Sequence, residues 1–389
     1  MEVTDYMEVT DGNMEVADGR STMSRLLAFV LVLLAASPAA AHKPGDPPHQ
    51  TYAMGDLKLE SGEVIKDFAI SYVTHGTLNP KKSNAILMVT ALTGNHHRLD
   101  FLIGPGKALD TSKYFVVATD AIGNGLTTSP SNSRAQPRMQ FPKFGMRDMV
   151  ESQRRLLKDK LGIEHVVAVV GPSMGGMQAL QWGVSHPDVM DGLVALVPLA
   201  RTPAWSVLIV DASRKAIMLD PAWNNGNYTS MPAGGVRLWR DIVGFAAARS
   251  PEWYREQFPR PLDVLPWLKA QEDASLNTFD PNDYIYQSWA YESHDVGATP
   301  GMNGDYVRAL GSIKARTLIM TGVKDLLNPE WEALEAARHI RDVRTVTINP
   351  DSVTGHMAAG GFRPADVEQI NAEVVKFLDE LTRGGERLR

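Results

Sequence analysis

The chain of 389 residues contains no cysteine. That absence excludes a disulfide framework, a thiol nucleophile, a Cys-based metal site and a lipidated N-terminal cysteine. A strong charge of either sign is lacking too, with a formal net charge of −6 and an isoelectric point near 5.9. Nothing here forms a basic surface, so neither nucleic acid nor an anionic membrane is expected as a partner. The apolar run near the N-terminus, Leu26–Ala36, falls well short of the roughly 20 residues a bilayer-spanning helix needs. No stable membrane anchor is expected from it.

That run is better matched to another use. Arg25 precedes it and Ala39-Ala40-Ala41 follow, the layout of a secretory signal peptide with a small-residue cleavage site. Residues 23–41 are therefore expected to be a leader cleaved after Ala41, giving a periplasmic or secreted protein. Residues 1–22 are acidic and repeat themselves (MEVTDY, MEVTDGN, MEVADGR). They read as a non-native extension, with translation starting at Met23, or as a disordered acidic tail.

What remains has the makeup of a soluble globular protein, 44% hydrophobic and 22% charged, and is long enough to bury a large core. Residues 42–56, rich in Pro and Gly, read as an irregular lead-in. Beyond them, strand candidates recur at Phe68–Val73, Ala85–Thr90, Tyr114–Thr119, Val166–Val170, Leu193–Val197, Thr317–Thr321 and Thr345–Ile348. Several are apolar on both faces, as parallel strands between helices must be. A helix over Arg147–Leu161, stopped by Gly162, lies between two of them. Strands alternating with helices predict an α/β fold with a doubly wound, mostly parallel sheet.

The alternation breaks over residues 202–305. Helical patterns fall at Val207–Leu219, Val236–Arg249 and Asp283–Tyr291, and six of the eight tryptophans lie there (Trp205, Trp223, Trp239, Trp253, Trp267 and Trp289). The segment reads as a helical lid inserted between two strands. Its tryptophans serve helix–helix packing or line an acyl pocket.

Gly171-Pro172-Ser173-Met174-Gly175 fits the G-x-S-x-G nucleophile elbow. A serine there turns sharply from strand to helix, and side chains at Gly171 and Gly175 would collide. A hydroxyl is a poor nucleophile until a base takes its proton, so an acid and a histidine should follow in the order Ser, Asp or Glu, His. Asp325, just after the Thr317–Thr321 strand, is the expected acid, with Asp351 as runner-up. His356 is the expected base, because His339 falls in the helical stretch Glu330–Ile340. The oxyanion hole needs two backbone donors. Met174, directly after the nucleophile, supplies one, and Leu92, in the loop ALTGNHHR after an early strand, supplies the other. His96 and His97 lack a third ligand at sensible spacing. They read as surface histidines or as supports behind the site, and no metal or other cofactor is expected. Arg201, Arg240 and Arg249 have the chemistry to bind a carboxylate, though exposed surface arginines are the ordinary case.

The stretch FGMRDMVESQRRLLKDKLGIEHVVAVVGPSMGGMQALQWGVSHPD resembles the core of the homoserine O-acetyltransferase family of α/β-hydrolase-fold proteins. ALTGNHH, AIGNG (Ala121–Gly125), Ser206–Trp223 and Phe279–Asp295 are similar as well, so the resemblance spans nearly all of residues 50–385. It implies an α/β-hydrolase core at 42–201 and 306–389 with a lid at 202–305. It further implies a Ser173, Asp325, His356 triad, Leu92 and Met174 as oxyanion donors, and acyl transfer through an acyl-enzyme, often in a homodimer. Two departures bear on function. The residue after the histidine is an Asp that holds the substrate's amino group in the acetyltransferases, and here it is Met357. The elbow carries Pro172 where those enzymes have a small residue.

Three readings follow. The favoured one is an exported serine hydrolase acting on small-molecule acyl esters, since acetyl-CoA is a cytosolic donor and Met357 cannot pair with an ammonium. The alternatives are an O-acyltransferase that uses acetyl-CoA and a non-catalytic binding protein on the same fold. The leader makes a direct prediction. Expressed from Met23 in a host that exports proteins, the mature chain should begin at His42 by N-terminal sequencing, and retention of residues 23–41 would overturn it.

Overall fold

The β-branched runs pair into one eight-stranded sheet in the computed structural model, which describes residues 47–276 and 278–386. In chain order the strands are β1 (Gln50–Lys58), β2 (Val64–His75), β3 (Ala85–Met88), β4 (Phe115–Thr119), β5 (Val166–Pro172), β6 (Met190–Leu196), β7 (Arg316–Gly322) and β8 (Val343–Ile348). In space they run β1-β2-β4-β3-β5-β6-β7-β8. The β1–β2 and β2–β4 pairs are antiparallel, and every pair from β4–β3 to β7–β8 is parallel. The fold is therefore an α/β-hydrolase-type, mostly parallel sheet.

Helices cover both faces, which is why β3 and β5 are buried throughout. On one side α1 (Met146–Arg155) and α2 (Met174–Ser185) bury Met149, Val150, Leu180 and Trp182 against Leu87, Val169 and Leu193. On the other, α10 (Pro364–Glu386) buries Ile370, Val374 and Phe377 against Ile86, Val170 and Leu318. Each such side chain contributes about 1.5–3 kcal/mol on leaving water. Packing of the two layers, more than intrinsic propensity, fixes the sheet.

Between β6 and β7 the chain forms α3 (Ala204–Met218), α4 (Ala233–Trp239), α5 (Pro251–Gln257), α6 (Val264–Ser275), α7 (Pro281–Glu292) and α8 (Tyr306–Gly311). No strand occurs there among the described residues. After β7, α9 (Glu330–Ala337) precedes β8. Aromatic rings knit the inserted helices together: Trp239 packs on Phe279 and Tyr284, and Trp267 on Phe245 and Trp253.

Two expectations are corrected. The lead-in is not irregular to residue 56, because Gln50–Lys58 is an edge strand. Its apolar residues are few (Tyr52-Ala53-Met54 and Leu57), five of its nine residues are exposed, and register shifts flank Gly55, features that protect an edge and leave only a short apolar run to read. The helix expected to reach Leu161 is α-helical only to Arg155 and ends in a π-helical turn, Leu156–Lys160. Helices α5, α6, α8 and α10 had no expectation; α5 and α8 are of seven residues or fewer, and half of α6 is exposed. The leader, residues 23–41, and the extension, residues 1–22, lie outside the described residues. Among the described residues no helix is long and apolar enough to cross a membrane.

One buried group ties stability to pH. Burial, with Arg147 nearby, pushes the His294 imidazole down to about 3, from 6.5 in an unfolded chain. The unfolded state therefore binds the extra proton first as pH falls. Stability should drop below pH 6.5, at up to about 1.4 kcal/mol per pH unit for this one proton. Replacing His294 with Phe should flatten the Tm-versus-pH curve between pH 6.5 and 5. Parallel curves for the two proteins would show that His294 does not couple to folding.

Candidate active site

Strand β3 has β4 on one side and β5 on the other. The connections leaving β3 and β5 therefore diverge at the carboxyl edge of the sheet, and such a switch point opens a crevice. Both loops of interest leave from it.

Ser173 sits between β5 and α2 with φ +56° and ψ −121°, a conformation an L side chain rarely adopts. Its N–H donates to the Leu196 carbonyl at 2.8 Å. The flanking glycines are a steric necessity. A Cβ on Gly171 would lie 2.4 Å from the Gly175 carbonyl, and one on Gly175 would lie 2.5 Å from the Val89 oxygen.

The structure brings the three expected residues together. His356 Nε2 lies 2.8 Å from Ser173 Oγ, and His356 Nδ1 lies 2.7 Å from Asp325 Oδ2. The other Asp325 oxygen accepts the Leu327 and Asn328 N–H groups, each at 2.8 Å. All three side chains are buried. With Asp325 accepting from Nδ1–H, Nε2 is left as the acceptor for the serine proton, the arrangement that makes a hydroxyl nucleophilic. Asp351 is exposed and takes no part. Asp366 instead shapes this loop, accepting from the Ser352 and Thr354 hydroxyls. His339 lies just past α9, 3.1 Å from Glu335.

The inserted helices brace both loops, which the sequence reading missed. Trp205 Nε1 and Ser206 Oγ of α3 donate to the Leu326 and Leu327 carbonyls, each at 2.6 Å. Ser250 Oγ donates to the Val353 carbonyl at 2.6 Å, and the Met357 N–H reaches the Ala248 carbonyl at 3.3 Å. Asn328 Nδ2 donates to the Val197 carbonyl at 2.7 Å, while its oxygen accepts from the Tyr291 hydroxyl. Burial, reinforced by Asp325, holds that phenol far above its usual range, so it remains a neutral donor.

The expected oxyanion donors have matching surroundings. Among the described residues, neither the Met174 nor the Leu92 N–H has a hydrogen-bond acceptor. Met174 opens the 12-residue helix α2, whose N-terminus carries the positive end of the helix dipole. Leu92 lies in the turn Ala91–Gly94, closed by the Gly94 N–H on the Ala91 carbonyl at 2.9 Å. Gln178 of α2 donates to the Thr90 carbonyl at 3.1 Å, tying that turn to the elbow helix.

Two further expectations change. His96 is not at the surface but fully buried, with Nδ1 3.0 Å from Asp120 Oδ2. A third ligand-type residue does exist, because the fold brings His49 and Asp120 to it within 4.8 Å. Asp120 is already committed, however. It accepts from Ser71 Oγ, the His96 N–H and Asn124 Nδ2 at 2.8–3.0 Å, bonds a metal would have to displace. The cluster reads as a hydrogen-bonded support under the Leu92 loop. Arg249 is buried, not exposed, and stacks on Phe245 and Trp253; Arg201 is exposed and lies over Tyr306.

Against known proteins, the family described as alpha/beta hydrolase fold matches residues 84–357. A homoserine O-acetyltransferase of Methanosalsum zhilinae is 34% identical over 361 residues, covering 84% of this chain and 72% of the relative. Among solved structures, an acetylester hydrolase from Corynebacterium glutamicum is 30% identical with a TM-score of 0.79, covering 85% of this chain and 96% of its own. The acetyl esterase MekB is 29% identical with a TM-score of 0.81, covering 87% and 99%.

The geometry predicts that a fluorophosphonate probe labels Ser173 and that Ser173→Ala abolishes labelling. Asp325→Asn should keep the fold but lower the turnover of any acyl substrate about 10³- to 10⁴-fold, through the wrong histidine tautomer. Turnover within tenfold of the parent would remove Asp325 from the triad.

Proposed function

The chain belongs to the homoserine O-acetyltransferase-like family of α/β-hydrolase-fold enzymes, and on that premise we propose that it is an O-acyltransferase that moves a small acyl group, acetyl first among them, onto a hydroxyl acceptor. The observation that carries this reading is the match to curated homoserine O-acetyltransferases along most of the chain, at 32–34% identity. These relatives favour transfer over the exported esterase to which Met357 and the leader pointed.

In this reading Ser173 Oγ attacks the acyl carbonyl of a thioester donor such as acetyl-CoA, and His356 Nε2 takes its proton. The Leu92 and Met174 N–H groups receive the developing oxyanion. The tetrahedral adduct expels the thiolate, which leaves with the proton from His356, and acyl-Ser173 remains. The acceptor hydroxyl then gives its proton to His356 as it attacks, and collapse releases the new ester and free Ser173.

A second reading, hydrolysis of acetyl esters, is favoured by a specific observation. Met357 follows His356 and offers a thioether, which cannot pair with an ammonium. The two acetyl-ester hydrolase structures named above also support it, as would the proposed export of the chain, away from a cytosolic thioester.

Purified protein incubated with acetyl-CoA and a panel of alcohols that includes homoserine separates the two. Transfer predicts thiol release that depends on the acceptor, with stoichiometric O-acetyl product. Release of acetate from acetyl esters, with no acceptor-dependent thiol release, would replace transfer by hydrolysis.

A further inference from the structure

The turn that carries Leu92 is held in an unfavourable conformation. Its third residue, Thr93, has φ +56°. That position of a β-turn favours Gly or Asn, and a β-branched residue there is strained. Strain of this kind persists only where the surroundings over-determine it. Part of the surroundings is familiar: the Gly94 carbonyl accepts from Asn124 Nδ2 at 3.2 Å, and the His96 N–H donates to Asp120. A further contact comes from the inserted helices, 194 residues away in the chain.

Gln287 lies in α7 and is fully buried. Its Oε1 accepts the Thr93 N–H at 2.9 Å, and its Nε2 donates to the Ile122 carbonyl at 3.1 Å. One amide thus spans the loops after β3 and β4. Gly123 makes room for it, since a Cβ there would lie 3.1 Å from Gln287 Cγ. The helix beneath is itself fixed. Asn282 Nδ2 donates to the Gly226 carbonyl, Tyr286 to the Phe141 carbonyl, and Tyr284 shares a hydrogen bond with Ser213. The amide has little freedom to follow a turn that relaxes.

We infer that Gln287 is a positioning residue for the oxyanion hole: by clamping Thr93 to the Ile122 carbonyl it keeps the Ala91–Gly94 turn in its left-handed form, with Leu92 beside Ser173. The inference rests on the acyl chemistry proposed above. It makes docking of the inserted helices a condition for stabilising the tetrahedral adduct, and not only for covering the site.

Gln287→Leu removes both bonds, whereas Gln287→Glu keeps the acceptor for Thr93 and regains the donor only when protonated. The test is p-nitrophenyl acetate turnover per fluorophosphonate-titrated site, with inhibition by phenylboronic acid, whose serine adduct mimics the tetrahedral intermediate. For Gln287→Leu the expected result is a kcat about 10- to 100-fold lower, KM within about twofold, and boronate inhibition weakened in step with kcat. For Gln287→Glu, kcat relative to the parent protein at the same pH should rise as pH falls. A purely structural role would lower Tm or the number of active sites and leave kcat per site unchanged, which overturns the inference. If Gln287→Leu does not fold, the Glu variant decides, and a ratio that is flat with pH overturns it. A parent protein that neither turns over the ester nor takes the probe overturns the acyl reading itself, and this inference with it.

Discussion

The crossing of β5 into α2 at Ser173 constrains everything around it. A left-handed residue between a strand and a helix leaves no room for a Cβ two positions to either side, as the 2.4 and 2.5 Å contacts at Gly171 and Gly175 show. The close contact that forbids those side chains also draws the end of β3 against the start of α2. The loop that carries Leu92 thereby leaves β3 next to the helix that Met174 opens. Because β5 to β8 are parallel neighbours, the loops after β7 and β8 open on the same edge and bring Asp325 and His356 to Ser173. One steric fact at the corner thus selects the partners available to the hydroxyl.

The sheet alone does not hold those partners still. Hydrogen bonds from Trp205 and Ser206 fix the Asp325 loop, and those from Ser250 and Met357 fix the His356 loop. Each contributes only about 0.5–1.5 kcal/mol net, but a buried group left without its partner costs about 1–3 kcal/mol. The inserted helices and the catalytic edge therefore stand or fall together. A substitution that loosened α3 or α7 would act on geometry at Ser173 before it acted on substrate contacts.

Much of this was legible in the chain because it is local. Val166–Val170 running into Gly171 and Gly175 records a buried strand and a crowded corner within ten residues. The order of Asp325 and His356 after it follows from the parallel connections. Other parts left no local trace. Gln50–Lys58 forms an edge strand whose apolar residues are broken up by polar and exposed ones, so its apolar run is only Tyr52–Met54. His96 looks like a surface histidine until Asp120, just past β4, closes on it with Ser71 of β2 behind. Gln287 is one polar residue in an aromatic-rich helix, and its partners at Thr93 and Ile122 are set by tertiary packing alone. Local chemistry writes elements and the Ser173 corner into the sequence, while the supports around them are made by distant contacts.

The same division explains why the acceptor of the acyl group is harder to read than the acyl chemistry. Transfer and hydrolysis share Ser173, His356 and the acyl-enzyme, and differ only in which hydroxyl reaches His356 next. An acceptor bound in an attacking pose reacts as though present at a very high effective concentration, up to about 10⁵–10⁸ M for ideal alignment, so water competes only when that hold is weak. A shift of about 1.4 kcal/mol in either barrier changes the partition tenfold, less than one charge-assisted hydrogen bond contributes. In the proposed transfer reading, the residue after His356 is where the family resemblance puts such a bond to an amino group. Met357 offers no such bond, so under the proposed transfer an acceptor would have to be held by other contacts, and the strength of that hold would set whether the acyl group passes to an alcohol or to water.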